Sequence, residues 1–154
     1  MNRAAVDPST APARQPPPPL AQRLGYAGLI PFVAGAALVW LVREDAHPYV
    51  TLALAAYAAV IVSFLGGIHW GLALRHSQPP LWLLGWGVLP SLVAWLGVMM
   101  PPSSGLVILG AALVGCYLVD RRIYALQGVA HWLTLRFRLS AVAAFSCFIG
   151  AAGT

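Results

Sequence analysis

The sequence predicts an all-α fold, a polytopic integral membrane protein folded as a five-transmembrane-helix bundle. Of its 154 residues 60% are hydrophobic and only 8% charged, whereas soluble domains carry about a quarter charged residues. The apolar residues fall into five runs, most of them close to the ~20 residues that cross ~30 Å of hydrocarbon. Prolines and polar residues collect between those runs. The charge is also lopsided: the nine cationic residues are all arginine, and they crowd onto one side once the helices are made to alternate.

Residues 1–22 hold the run Pro16 to Pro19 together with Asp7, Pro8 and Pro12, and nothing in them can bury a core. They read as a disordered, proline-rich cytoplasmic tail. No apolar stretch ending in a small-residue cleavage site precedes Leu24, so a cleaved secretory signal is not expected. The membrane domain then occupies 23–154, with spans at about 24–42, 49–74, 81–100, 103–119 and 136–153.

Pro31 predicts a kink in the first span. Arg43 to Pro48 makes a polar turn, and the second span is longer than a crossing requires. Pro90 stands at the middle of the third span, where it frees a carbonyl that a neighbour must satisfy. Pro101 to Ser104 turns the chain into a short fourth span, whose far end Arg121 and Arg122 flank. Between 120 and 138, Ile123, Leu126, Ala130, Leu133 and Phe137 recur every three or four residues. The alternative to a simple loop is that this segment begins as an amphipathic interfacial helix, a reading that Gly128 weakens, and the start of the fifth span is left open between His131 and Leu139.

With five spans, arginines 3, 14, 23, 75, 121, 122, 136 and 138 share one side and Arg43 stands alone on the other. The positive-inside rule places the eight in the cytoplasm, giving a cytoplasmic N-terminus and a periplasmic C-terminus in a bacterial inner membrane. The mitochondrial inner membrane is the alternative, with the eight in the matrix. A basic chain can also point to nucleic acid, but these arginines flank apolar runs and form no interleaved patch, so no nucleic-acid partner is expected.

The most distinctive stretch is Ser63 to Gly71. Stepping back from Gly71 by fours gives Gly67, Ser63, Ala59 and Ala55, a small-xxx-small stripe of the kind that lets membrane helices approach closely. It is expected to make this helix the packing centre. His69 points away from Gly67, and an ionisable residue inside a membrane is by default a candidate site. Asp120 ends the fourth span on the same side, and Tyr26, Arg136 and Arg138 approach that depth from the first and fifth. The candidate cluster is therefore Ser63, Gly66, Gly67, His69, Trp70, Gly71, Pro90, Asp120 and Arg136.

Tyr26 to Pro31, Ser63 to Gly71, Leu89 to Leu92 with Trp95, Asp120, and Leu135 to Ser140 together resemble a family of small polytopic membrane proteins. That family includes animal transmembrane protein 69 and bacterial relatives. The resemblance covers roughly 24–150 and departs from the pattern at Leu133 and Ser140, where a Tyr and a Thr are expected. It implies a fold and no catalytic residue.

Two chemistries suit the cluster. In one, His69 titrates with Asp120 as its partner in a proton or ion relay. In the other, His69 bonds a carbonyl freed by Pro31 or Pro90, and Asp120 pairs with an arginine to tie helices together. A haem held by His69 and His131 requires both at one depth, and His131 reads as interfacial. Cys116 and Cys147 lie in apolar runs without metal or disulfide spacing. No P-loop, dinucleotide fingerprint, zinc spacing or calcium loop occurs, and Ser91 lacks the surroundings of a nucleophile elbow. No catalytic residue, metal or cofactor is implied. The function expected is a non-enzymatic accessory, assembly or scaffold component; the alternative is a small oligomeric transporter or channel using His69 and Asp120. Membrane lipid, a second copy or a membrane-protein complex are the partners in view.

Overall fold

The computed structural model describes residues 16–154, and every regular element among them is a helix. In chain order these are α1 (Pro19–Ala27), α2 (Ile30–Leu41), α3 (His47–Ala73), α4 (Leu81–Met99), α5 (Pro102–Leu126) and α6 (Leu133–Ala152), the last preceded by a single 3₁₀ turn, Ala130–Trp132. Taken as α1 with α2, α3, α4, α5, and the 3₁₀ turn with α6, they form five helices long and apolar enough to cross a membrane. Of the expected tail, residues 1–15 lie outside the described residues. Its end differs from expectation, because α1 already begins at Pro19.

The first span breaks earlier than Pro31. The backbone turns at Gly28 and Leu29, and Pro31 falls in the first turn of α2, where a missing N–H costs nothing. The carbonyl exposed at the break is accounted for: the Tyr57 hydroxyl donates to Gly28 O at 2.9 Å. In hydrocarbon no water is available to do this. Pro90, by contrast, does not end its helix, since α4 continues on both sides of it.

The fourth helix is longer than expected. It runs to Leu126, which overturns the interfacial helix read into 120–138. Asp120, Ile123 and Tyr124 are buried on the face that also carries Leu113 and Cys116, so the tertiary contacts continue α5 through this segment. The chain reverses only at Gly128, whose φ of +73° is a left-handed conformation that glycine adopts without strain.

The helices alternate in direction. His76 Nε2 lies 3.1 Å from Gln127 Oε1, so the α3–α4 and α5–α6 connections share one face. At the other face the His47 ring bonds Gly153 O at 2.9 Å, and the Trp40 indole donates to Ile149 O at 3.2 Å. The interior between these ends is apolar, with Leu54, Ala58, Val62, Leu106, Leu109 and Cys147 all essentially inaccessible.

α3 is central, packing on α2, α4, α5 and α6, but it does so through a different line of residues from the expected stripe. Gly67 and Gly71 have open space beside them, while a side chain at Gly66 would collide with the carbonyl of Gly87 on α4. The cause is helical arithmetic. Each four-residue step turns about 40° beyond a full circle, so a stripe that begins buried at Ala55 has rolled out to the surface by Gly67. A second close approach joins α4 to α5, where a side chain at Gly105 would collide with the Gly97 carbonyl.

Candidate functional site

The buried face of α3 runs through Val62, Leu65, Gly66, His69 and Ala73, which aims His69 at α5. Asp120 answers it from α5. His69 Nε2 lies 3.1 Å from Asp120 Oδ1, both side chains being 1% exposed. Arg136 comes from the first turn of α6 and brings NH2 to 2.7 Å from Asp120 Oδ2. Its NH1 donates to Ser140 Oγ at 2.8 Å. Three helices thus meet at one carboxylate.

Electrostatics explains why these groups need each other. A cation in the first turn of a helix faces the positive end of the macrodipole, and an isolated charge in an apolar interior carries a desolvation penalty of several kcal/mol. Asp120 offsets both for Arg136. The two contacts at Asp120 have ion-pair distances but lie off the line of a full hydrogen bond, and Arg136 Nε has no hydrogen-bond partner among the described residues.

The second ring nitrogen of His69 constrains the proton. Nδ1 is 3.1 Å from Leu65 O, and a carbonyl can only accept, so that contact requires a proton on Nδ1. Nε2 then faces the Asp120 carboxylate across the bundle. Trp86 stands edge-on to the imidazole at 6.4 Å between centroids, and Tyr124 lies at 6.5 Å.

The structure brings together only part of the expected cluster. His69, Asp120 and Arg136 form the polar centre. Gly66 and Pro90 meet beside it at the α3–α4 contact. The Trp70 indole donates to Leu84 O at 3.1 Å and its ring covers Gly87. Ser63 is half-buried, and Gly67 and Gly71 are exposed. Tyr26 stands apart, accepting from Arg138 at 3.3 Å. The carbonyl that His69 uses is that of Leu65, one turn back on its own helix, and not one freed by Pro31 or Pro90.

Ser140, Tyr124 and Trp86 were missed as members of the site. The first two had a signal, since Ser140 is four residues beyond Arg136 and Tyr124 four beyond Asp120, the spacing of neighbours on one helical face. Beside Arg136 a cleft of about 600 Å³ opens between the first span, α3, α5 and α6, with Tyr124, Arg136 and Ser140 among its lining. Among the described residues no group of three or more His, Cys, Asp or Glu side chains gathers to hold a metal ion.

This fold and this site define a polytopic membrane protein whose ionisable side chains pair with one another inside the bundle. The chain belongs to the family described as "Protein of unknown function (DUF3429)", which matches residues 17–152. It is 38% identical over 131 residues to Transmembrane protein 69 of Xenopus tropicalis, covering 80% of this chain and 50% of the relative. With Transmembrane protein 69 of Mus musculus it shares 27% identity over 126 residues, covering 80% of this chain and 51% of the relative. The chain therefore spans about half the length of these curated relatives. No solved structure matches it.

Proposed function

We propose that the protein is a non-enzymatic accessory, assembly or scaffold component of an inner membrane, in which the His69–Asp120–Arg136 cluster fastens α3, α5 and α6 together. The observation that carries this reading is where the ionisable groups stop. Beyond His69 and Asp120, toward the face of the α2–α3 turn, the interior is filled by Leu113, Leu109, Leu106, Val62, Ala58 and Leu54, each 2% exposed or less, and the buried hydroxyls on that side, Thr51 and Ser146, donate to carbonyls of their own helices. A conducting path needs polar groups or water on both sides of its relay; here a close-packed apolar plug occupies one side. Paired charges joining three helices suit a fixed framework.

The arginines favour one orientation. Arg23, Arg75, Arg121, Arg122, Arg136 and Arg138 lie at or near the face of the α3–α4 turn, and Arg43 lies at the other. By the positive-inside rule the first face is cytoplasmic, or matrix in a mitochondrion, and the C-terminus is outside.

The test is to extract the native protein in mild detergent, resolve it by size, and reconstitute the purified protein in vesicles carrying a pH gradient. The expected result is migration within a complex larger than its own oligomer, with vesicles no leakier to protons than those made with His69→Ala. A defined homo-oligomer running alone, with a proton flux that His69→Ala abolishes, would replace this reading by the transport one.

A further inference from the structure

We infer that Arg138, Tyr26 and Arg23 form a site on the outer surface of the bundle for the phosphate of one membrane phospholipid. The α1–α6 contact brings them together. Gly25 lies against Leu139, whose Cδ1 is 3.0 Å from where a Cβ on Gly25 would stand. Beside this crossing Arg138 NH1 donates to the Tyr26 hydroxyl at 3.3 Å. Arg23, one helical turn before Tyr26, is its neighbour on the same face of α1. All three side chains are exposed.

Depth distinguishes this pair from the other exposed arginines. Arg138 lies roughly 12 Å along the last span from Ala130, and Tyr26 roughly 10 Å along the first from Pro19. A guanidinium on the lipid-facing surface at that depth is costly unless it reaches polar partners. Tyr26 accepts one of its hydrogen bonds and leaves the other N–H groups to be met. No carboxylate among the described residues serves them: Glu44 and Asp45 stand at the α2–α3 turn on the opposite face, and Asp120 is enclosed with His69 and Arg136. The anion that borders hydrocarbon is the lipid phosphate. Side chains of a helix lean toward its N-terminus, and α1 and α6 both begin at the face of the α3–α4 turn. Arg23, Tyr26 and Arg138 therefore all lean toward the headgroups of that one leaflet, where two guanidinium forks match the oxygens of a phosphate.

The experiment is native mass spectrometry of the purified full chain released from detergent, supplied with phosphatidylglycerol and with a diacylglycerol of the same acyl chains, which lacks the phosphate. One phosphatidylglycerol is expected per protomer, retained at least about tenfold better than the diacylglycerol, as a charge-assisted hydrogen bond provides. The surface double variant Arg23→Gln/Arg138→Gln should lose that preference. Arg75→Gln/Arg122→Gln, which removes the same charge from exposed positions on the same face, should keep it. A preference unchanged in the first variant overturns the proposal. So does an equal loss in both, which reduces retention to diffuse attraction by a basic face. Displacement of the lipid by millimolar inorganic phosphate would make a free anion the ligand and would overturn it too.

Discussion

Replacing Asp120 by leucine tests whether the buried charges form one unit. In the native protein Asp120 is 1% exposed and faces both His69 and Arg136. Without it the Arg136 guanidinium keeps one hydrogen bond, to Ser140, and stays enclosed. Exposed ion pairs contribute about 0–1 kcal/mol, but removing one partner of a buried pair costs about 3–5 kcal/mol because the other charge is left uncompensated. The burial here selects the larger figure. Arg136→Leu should cost less than Asp120→Leu, since the Asp120 carboxylate keeps the His69 ring beside it. The double variant Asp120→Leu/Arg136→Leu removes both charges and should recover to within about 1–2 kcal/mol of wild type, a strong departure from additivity. Unfolding free energies come from SDS titration in mixed micelles, followed by tryptophan fluorescence and circular dichroism. A loss below about 1 kcal/mol for Asp120→Leu, or single losses that simply add, would refute the account.

Three further outcomes can be checked with the same preparation. Gly66→Ala forces α3 away from the Gly87 carbonyl and should destabilise by about 1–3 kcal/mol. Gly67→Ala, with open space beside it, should be neutral or gain up to about 1 kcal/mol of helix propensity; equal effects at the two positions would show that α3 packs by the other stripe. Tyr57→Phe deprives the Gly28 carbonyl of its donor at the break in the first span, for a loss of about 1 kcal/mol in the unfolding titration. Cys116 and Cys147 are free and buried, so a membrane-permeant maleimide should label neither in the folded protein and both in SDS, read by intact mass.

Hydrophobicity and punctuation made the helix number legible, because a bilayer demands an apolar run of fixed minimum length from every span. The ends of spans were less so. α5 continues past Asp120, Arg121 and Arg122 although a charge count ends it there, and the reason is tertiary: Asp120 is matched by partners on two other helices, so its cost in the interior falls on no single segment. In the same way Pro31 signalled a disturbance, but the chain places the break three residues earlier, at Gly28. There the proline becomes a first-turn residue and Tyr57, from another helix, caps the freed carbonyl.

The site shows the same division between local and tertiary information. His69, Asp120 and Arg136 were legible as candidates because each is expensive in hydrocarbon, and such residues persist where a partner meets them. Which face of α3 would carry the packing was not, because a stripe of period four and the true period of about 3.6 residues diverge over a helix as long as His47–Ala73. The discriminating signal was in the sequence all the same. Val62, Gly66, His69 and Ala73 follow three- and four-residue steps that keep His69 in line with the core, and only Gly66 on that line lacks a side chain. A glycine sharing its face with the one intramembrane histidine of this helix marks where a neighbouring backbone comes closest, and the Gly87 carbonyl occupies that space. The polar residue orients the helix, and the glycine beside it sets the approach.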